Sequence, residues 1–462
     1  MHLHIIHRIN TEKKERVIIL EKKAGAFARL RGQFSKTEWS WIFYDWANSI
    51  WATNISAAIF PIYIANVLEA AGQPNSRFSY AVSIANFAVA LMAPFLGAIG
   101  DFRGMKKRLF TTFMVLGVVA TASMAVTDNW ALMLVGFVLS RIGFSGSCLF
   151  YDSFLTDVTT EDRMDKVSAW GFAAGYIGGS TIPFIISIVI MLMMDMSALS
   201  CKIAILIVPV WWLLFSIPML KNVEQVHSVQ TPPSRLAAEA LGNMKNTFID
   251  ICKNKAVFFF MAAYFFYIDG VDTIISLATS YGEVLGLGTV GMIIALLVTQ
   301  IVAMPFSILF GKWGKKYGPL KLIGIAVAVY CVITIIGFGM GFLIDFNEVV
   351  GLTPEEALSI SSVLFWVLAT MVGTVQGGIQ ALSRSYFGQL IPAERSNEYY
   401  GFLDIFGKFA CVMGPILYGV VIDLTGKASL GILSIILLFI MGGVLLLCGR
   451  KHFARVGAQQ AE

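Results

Sequence analysis

The chain has 462 residues, 57% hydrophobic and only 14% charged, with a mean hydropathy of +0.74. Soluble domains carry about 25% charged residues, so an ordinary soluble protein is excluded. The apolar runs are continuous rather than alternating, which excludes an outer-membrane barrel, and the net charge of +5 falls in short loops, which gives no support to a nucleic-acid partner.

Residues 1–38 form a basic tail with no short apolar stretch followed by a small-residue cleavage site, so it does not read as a secretory signal. Twelve apolar segments follow, each long enough for the about 20 residues a span needs. They fall near 41–68, 78–100, 108–127, 130–153, 167–193, 202–220, 256–282, 288–311, 319–343, 358–384, 399–422 and 429–449. The predicted fold is an all-α membrane protein of twelve helices. The polar 221–255 stretch, with Pro232 and Pro233, is read as a loop linking a six-helix bundle over 39–220 to another over 256–449, and 450–462 as a second tail.

Lys and Arg counting sets the expected orientation. The tails, the 101–108 loop, Arg163 and Lys166, the central stretch, the 312–321 loop and Arg395 share one side. The other side holds only Arg77, Lys202 and Lys427. Both termini are therefore expected in the cytoplasm. The cysteines are scattered singly without a C-x-x-C, and the five histidines lie in tails or the central stretch. No metal site or cofactor is expected, and no intramembrane His relay. There is no G-x-x-x-x-G-K-[ST] loop for ATP, and no nucleophile–base arrangement to support an enzyme.

Polar residues at membrane depth mark function, because a charged side chain at the bilayer centre costs at least about 2.5–3.5 kcal/mol. Asp269 lies about 17 Å of helix from either end of span 7, beyond the reach of its side chain, and Asp272 shares its face. Arg141 is equally deep in span 4. Gln376, Gln380 and Arg384 recur every fourth residue along span 10. Asp45, Asn48 and Ser56 share one face of span 1, while Asn54 points elsewhere. Arg141 with Asp269, Asp272, Gln376, Gln380 and Asn48 is the candidate substrate site. A cation, two carboxylates and amides suit a zwitterion, though another small polar solute fits as well. Asp269 and Asp272 are the candidate proton-coupling groups; for Asp269 a structural pairing with Arg141 is the competing role. Asp45 with Arg384 is a candidate inner gate. Asp404 and Lys408, one turn apart, read as local ion-pair support or as a coupling to the Asp101 loop. The tryptophans from Trp39 to Trp51 and at Trp211 and Trp212 read as interface belt and packing.

A repeat supports the division into halves. Gly97-Ala-Ile-Gly-Asp101-Phe102-Arg103-Gly104-Met-Lys106-Lys107-Arg108 follows span 2, and Gly311-Lys312-Trp-Gly314-Lys315-Lys316 follows span 8. This resembles the loop signature of the major facilitator superfamily, with Phe102 in place of a basic residue and Gly311 in place of the second acid. The resemblance implies the major facilitator fold, with spans 1, 4, 7 and 10 lining a central cavity. It also makes Asp101, Arg103 and Lys106 a candidate latch. Tyr44-Asp45-Trp46-Ala47-Asn48-Ser49, Phe150-Tyr151-Asp152 to Asp157, Val167-Ser168-Ala-Trp170-Gly171, Tyr267-Ile-Asp269-Gly270-Val271 and Gln376-Gly377-Gly378-Ile-Gln380 to Ser385 resemble the vacuole-effluxer family typified by fungal autophagy-related protein 22. That resemblance implies a secondary transporter of amino acids, monomeric, with a small-molecule substrate and the lipid bilayer as partners. The short loops suggest a bacterial plasma membrane, with a vacuolar membrane as the alternative. A non-transporting receptor or scaffold in the same fold, and a lipid or drug exporter, are the other readings.

Overall fold

The structure is a computed structural model describing residues 32–74, 76–229, 236–287 and 289–459; the basic tail before residue 32 lies outside the described residues. Among them are twelve helices long and apolar enough to cross a membrane, connected by short turns apart from the stretch after span 6. Spans 1–6 are Lys36–Ala70, Ser76–Gly100, Met105–Val126, Trp130–Val158, Glu161–Met193 and Ala198–Asn222. Spans 7–12 are Lys255–Ala278, Ile294–Tyr317, Pro319–Asp345, Pro354–Leu390, Ala393–Thr425 and Ala428–Ala454.

Local chemistry explains several ends that the apolar runs miss. Span 1 starts inside the expected tail because Ser35 and Glu38 form a capping box. Its polar first turn is held by Glu38, which accepts two 2.8 Å bonds from Arg163 at the start of span 5. Thr353 and Glu356 form a second capping box, with Pro354 in the first turn, and start a 37-residue span 10. At 1.5 Å per residue that is about 55 Å, well beyond the hydrocarbon core. Span 12 likewise runs on helically to Gln459, through most of the expected tail.

The central stretch also differs from a loop. Leu236–Lys253 is an 18-residue helix. It packs against spans 2, 7 and 11, and Arg395 at the start of span 11 bonds its Asp250, at 3.1 Å, and its Thr247. Its polar residues masked the helix, since an amphipathic surface helix needs only one apolar stripe.

Spans 1 and 5 each contain a wider, π-type turn, over Trp51–Ala57 and Gly175–Thr181. These turns face one another and shift polar residues relative to a regular helix, a distortion frequent at functional sites. Asn54 accordingly points to span 5, donating to Ser187 at 2.9 Å. Trp41, Trp51 and Trp212 are wholly buried. They pack inside the first half rather than at an interface belt, Trp41 stacking on Tyr151 and Trp51 on Phe144.

Spans 2 and 11, and spans 5 and 8, make the closest approaches between the first six spans and the last six. Glycine permits both. A Cβ on Gly401 would fall 2.7 Å from the Ala93 carbonyl oxygen, and one on Gly97 would strike that of Asn397. Gly311 lies against Ala169, which leaves no room there for the acid of the first-half loop. These contacts lie at the helix ends bearing the basic loops, called the basic face below.

Candidate functional site

The seam at the basic face is polar and mostly buried. Arg384, on span 10, is 7% exposed and crosses it. Its guanidinium donates to Asp45 of span 1 at 3.2 Å, to Asp152 of span 4 at 3.0 Å, and to the Ser168 hydroxyl and carbonyl of span 5 at 2.9 and 3.0 Å. Trp41 and Phe172 cover it, 4.6 and 4.4 Å from ring centroid to guanidinium carbon. Arg suits this place because its planar fork carries several directed donors and stacks on aromatic faces. Tyr151 donates to the same Asp45 oxygen at 2.8 Å. One turn further toward the basic face, Asp165 of span 5 accepts from Ser385 at 2.6 Å and Gln389 at 3.1 Å, both on span 10.

The Asp101 turn closes the neighbouring sector. Asp101 is 3% exposed and accepts from the Asn397 backbone N–H at 2.9 Å, its side-chain amide at 2.7 Å and the Glu398 N–H at 3.0 Å. Those N–H groups belong to the first turn of the Ser396–Thr425 helix, so a carboxylate from the first half caps a helix of the second half. Such a charge at a helix N-terminus is favourable. Burial nevertheless pushes the Asp101 carboxyl up to about 7, against the opposing pull of Lys106 and of these bonds. Lys106 is fully buried and bonds Asp157 at 2.7 Å and Ser396 at 3.0 Å. Asp157 also accepts from the backbone of Val226 and His227. Gln225 accepts from the Gly104 N–H at 2.8 Å, so the chain after span 6 straps the turn down. Phe102 is buried, and Arg103 is exposed beside the cluster. Lys408 and Asp404 do pair, at 2.9 Å, whereas the Asp101 carboxylate bonds Asn397 and Glu398 at the start of that helix.

Deeper in the membrane the expected substrate residues divide. Arg141 is about 16 Å along span 4 from Asp152. It donates to Asn86 of span 2 at 2.7 Å and Ser56 of span 1 at 3.0 Å, with its guanidinium 5.8 Å from the Trp51 ring centroid. Asp269 is fully buried within the second half. Its Oδ1 accepts from the Gly414 N–H of span 11 at 3.0 Å and from Thr273 at 3.3 Å, so its partners are not Arg141. Asp272, one turn on, is partly exposed. Gln376 is buried and lines a cavity of about 100 Å³ with Thr299, Gln300 and Thr334, otherwise walled by apolar side chains of spans 7 to 10 and 12. Gln380 is half-buried. Asn48 contacts Cys148 at 3.5 Å within the first half.

Sequence reasoning missed Asp152, Asp157 and Asp165 as partners, and Tyr176, Tyr330 and Ser307. The hydroxyls of those last three are buried without a hydrogen-bond partner among the described residues. The acids sit close to loop ends, where a solvated carboxylate is the ordinary reading. The Ser168 and Ser385 that flank them are too common to signal anything alone.

A family model described as vacuole effluxer Atg22-like matches residues 73–455. A relative described as an uncharacterised MFS-type transporter, from Bacillus subtilis, is 41% identical over 90% of this chain and 95% of its own length. The chain belongs to this family. Autophagy-related protein 22 of Yarrowia lipolytica is 28% identical over 56% of this chain and 46% of that protein. Solved structures share the fold at low identity. A bacterial homologue of the iron transporter ferroportin in an outward-facing state gives a TM-score of 0.65 at 12% identity, covering 90% of this chain and 98% of that one. A proton:xylose symporter gives 0.61 at 14%, covering 88% and 93%. The protein is thus a multi-pass membrane transporter of the major facilitator type.

Proposed function

We propose that this family member is a secondary transporter that moves small polar solutes, amino acids first among them, by alternating access. The observation that carries the reading is the contrast between a sealed, charge-bonded basic face and polar side chains deeper in the membrane. With the basic face in the cytoplasm, as the Lys and Arg asymmetry indicates, this arrangement is outward-facing. Asp45 with Arg384, and Asp101 with Lys106, act as its inner gates. Arg141 and Asn48 on one half, with Asp272, Gln376 and Gln380 on the other, offer donors and acceptors for a zwitterion. Asp269 and Asp272 are the carboxylates available for coupling. The bacterial relative supports a plasma-membrane location.

A thermal-shift panel on the purified chain tests the substrate class. Amino acids should raise the Tm of the wild type and leave that of Arg141→Ala unchanged. Stabilisation by lipids or apolar drugs alone would favour the exporter reading. That reading draws on one observation, a groove of about 740 Å³ lined by Trp39, Trp46, Trp170 and Met304 among others.

A further inference from the structure

The groove of about 740 Å³ is walled by both halves of the molecule. Span 1 lines it from Lys36 to Trp46, span 5 from Trp170 to Ile177, and span 8 at Met304 and Ile308. The walls are mainly aromatic and aliphatic. Phe43, on one of them, is exposed although it lies inside a membrane-spanning segment. The helix rises about 15 Å between Lys36 and Trp46, half of the about 30 Å hydrocarbon core. The groove thus runs through one leaflet, the one beside the basic face.

Its outer end is basic on each of these three walls. Lys36 lines the groove itself. Lys166 is one turn before Trp170 on span 5, and its ammonium lies 4.7 Å from the ring centroid of Phe34, another lining residue. Lys312 is one turn beyond Ile308, on the stripe of span 8 that carries Met304, and its charge reaches Lys166. Acids at the same helix ends are engaged elsewhere, Glu38 by Arg163, Asp162 by Lys315, and Asp165 by Ser385 and Gln389. Among the described residues, Lys36, Lys166 and Lys312 are in no ion pair. Charges of one sign around a low-dielectric mouth concentrate an anion there. An apolar trough with cations at one end fits an amphiphile better than a small polar solute, and basic pockets between membrane helices bind anionic lipid headgroups.

We propose that the groove between spans 1, 5 and 8 is a binding site for one anionic phospholipid, with an acyl chain along the tryptophan wall and the phosphate among Lys36, Lys166 and Lys312. Spans 1 and 5 belong to the first half and span 8 to the second, so the bound lipid braces the sealed basic face. It is held there as a regulator of the seam rather than carried across the membrane.

The test is thermal unfolding of the purified full chain, freed of lipid in a neutral detergent, with dioleoyl phosphatidylglycerol as the probe. That lipid should raise Tm saturably, dioleoyl phosphatidylcholine should do so far less, and soluble glycerol phosphate not at all. Replacing Lys36, Lys166 and Lys312 together with Gln should raise the concentration needed by on the order of a hundredfold. Ala174→Trp, which fills the groove, should abolish the effect, and Gln at Lys316, Lys321 and Lys451, the same charge change elsewhere on the basic face, should keep it. Native mass spectrometry of the lipid retained by the protein gives the same comparison should one variant unfold early. In nanodiscs, phosphatidylglycerol should also slow thiol labelling of Cys148 from the basic face relative to phosphatidylcholine; equal rates would overturn the bracing role. Equal stabilisation by the two lipids, stabilisation by glycerol phosphate, an unchanged response without the three lysines, or no response of the wild type by either method would each overturn the site. No transported solute enters the measurement, so the outcome is independent of the amino-acid reading.

Discussion

Replacing Arg384 with Gln tests the seam most sharply. The guanidinium is the cation that bonds both Asp45 and Asp152. Gln keeps a polar group but leaves the buried Asp45 carboxylate without its counter-charge, beside the more exposed Asp152. Breaking a buried ion pair by removing one partner costs about 3–5 kcal/mol. At 1.4 kcal/mol per factor of ten, the equilibrium between sealed and open basic face should shift about a hundredfold to a few thousandfold toward open. Cys148 reports this from within. It lies one turn from Asp152 on span 4 and contacts Asn48, on the far side of the Arg384 plug from the basic face. With the exposed Cys252 and Cys448 replaced by Ser, an impermeant thiol reagent applied from the basic face should label Cys148 faster in Arg384→Gln. The gain should approach the shift in the equilibrium. Arg384→Lys, which keeps charge but loses the fork and its stacking, should fall between. An unchanged labelling rate in a folded Arg384→Gln protein would refute the claim that this residue seals the face.

Other perturbations act on the same equilibrium. Gly97→Val places a side chain against the Asn397 carbonyl and should open the seam between spans 2 and 11, raising Cys148 labelling about fivefold to a hundredfold if the overlap costs about 1–3 kcal/mol. Asp101 gives a pH dependence whose sign follows from its raised pKa. When the seam opens, the carboxyl returns to water and an ordinary value near 3.9, so the sealed state binds the proton more tightly. Sealing should strengthen as pH falls from about 7 toward 4 and weaken as pH rises through 7; Asp101→Asn should flatten that part of the labelling profile. Arg141→Ala should reduce solute uptake by tenfold or more with unchanged Cys148 labelling, because its bonds to Asn86 and Ser56 lie within the first half. A parallel rise in labelling would make Arg141 a packing residue instead.

The number and order of the spans were legible because continuous apolar runs of bilayer length have few alternative folds. The pair of Asp45 with Arg384 was legible too, since both are costly ions near the same ends of lining helices. What escaped was set by geometry between distant segments. Nothing local says that Asp101 turns inward to cap a helix almost 300 residues away, or that Asp152 shares Arg384 with Asp45. Asp269 stood out as a buried acid, but its partner is a backbone N–H of Gly414, and backbone donors leave no mark in a side-chain pattern. The helix at Leu236–Lys253 was hidden for the opposite reason, as its exposed face makes it read as loop.

The central claim is solute movement by alternating access, and uptake into proteoliposomes tests it most directly. A labelled amino-acid mixture should enter vesicles carrying the wild-type protein, accumulate when a pH or sodium gradient is imposed, and fail to do so with Arg384→Gln or Arg141→Ala. Folded wild-type protein that takes up none of the mixture under any gradient would contradict the account.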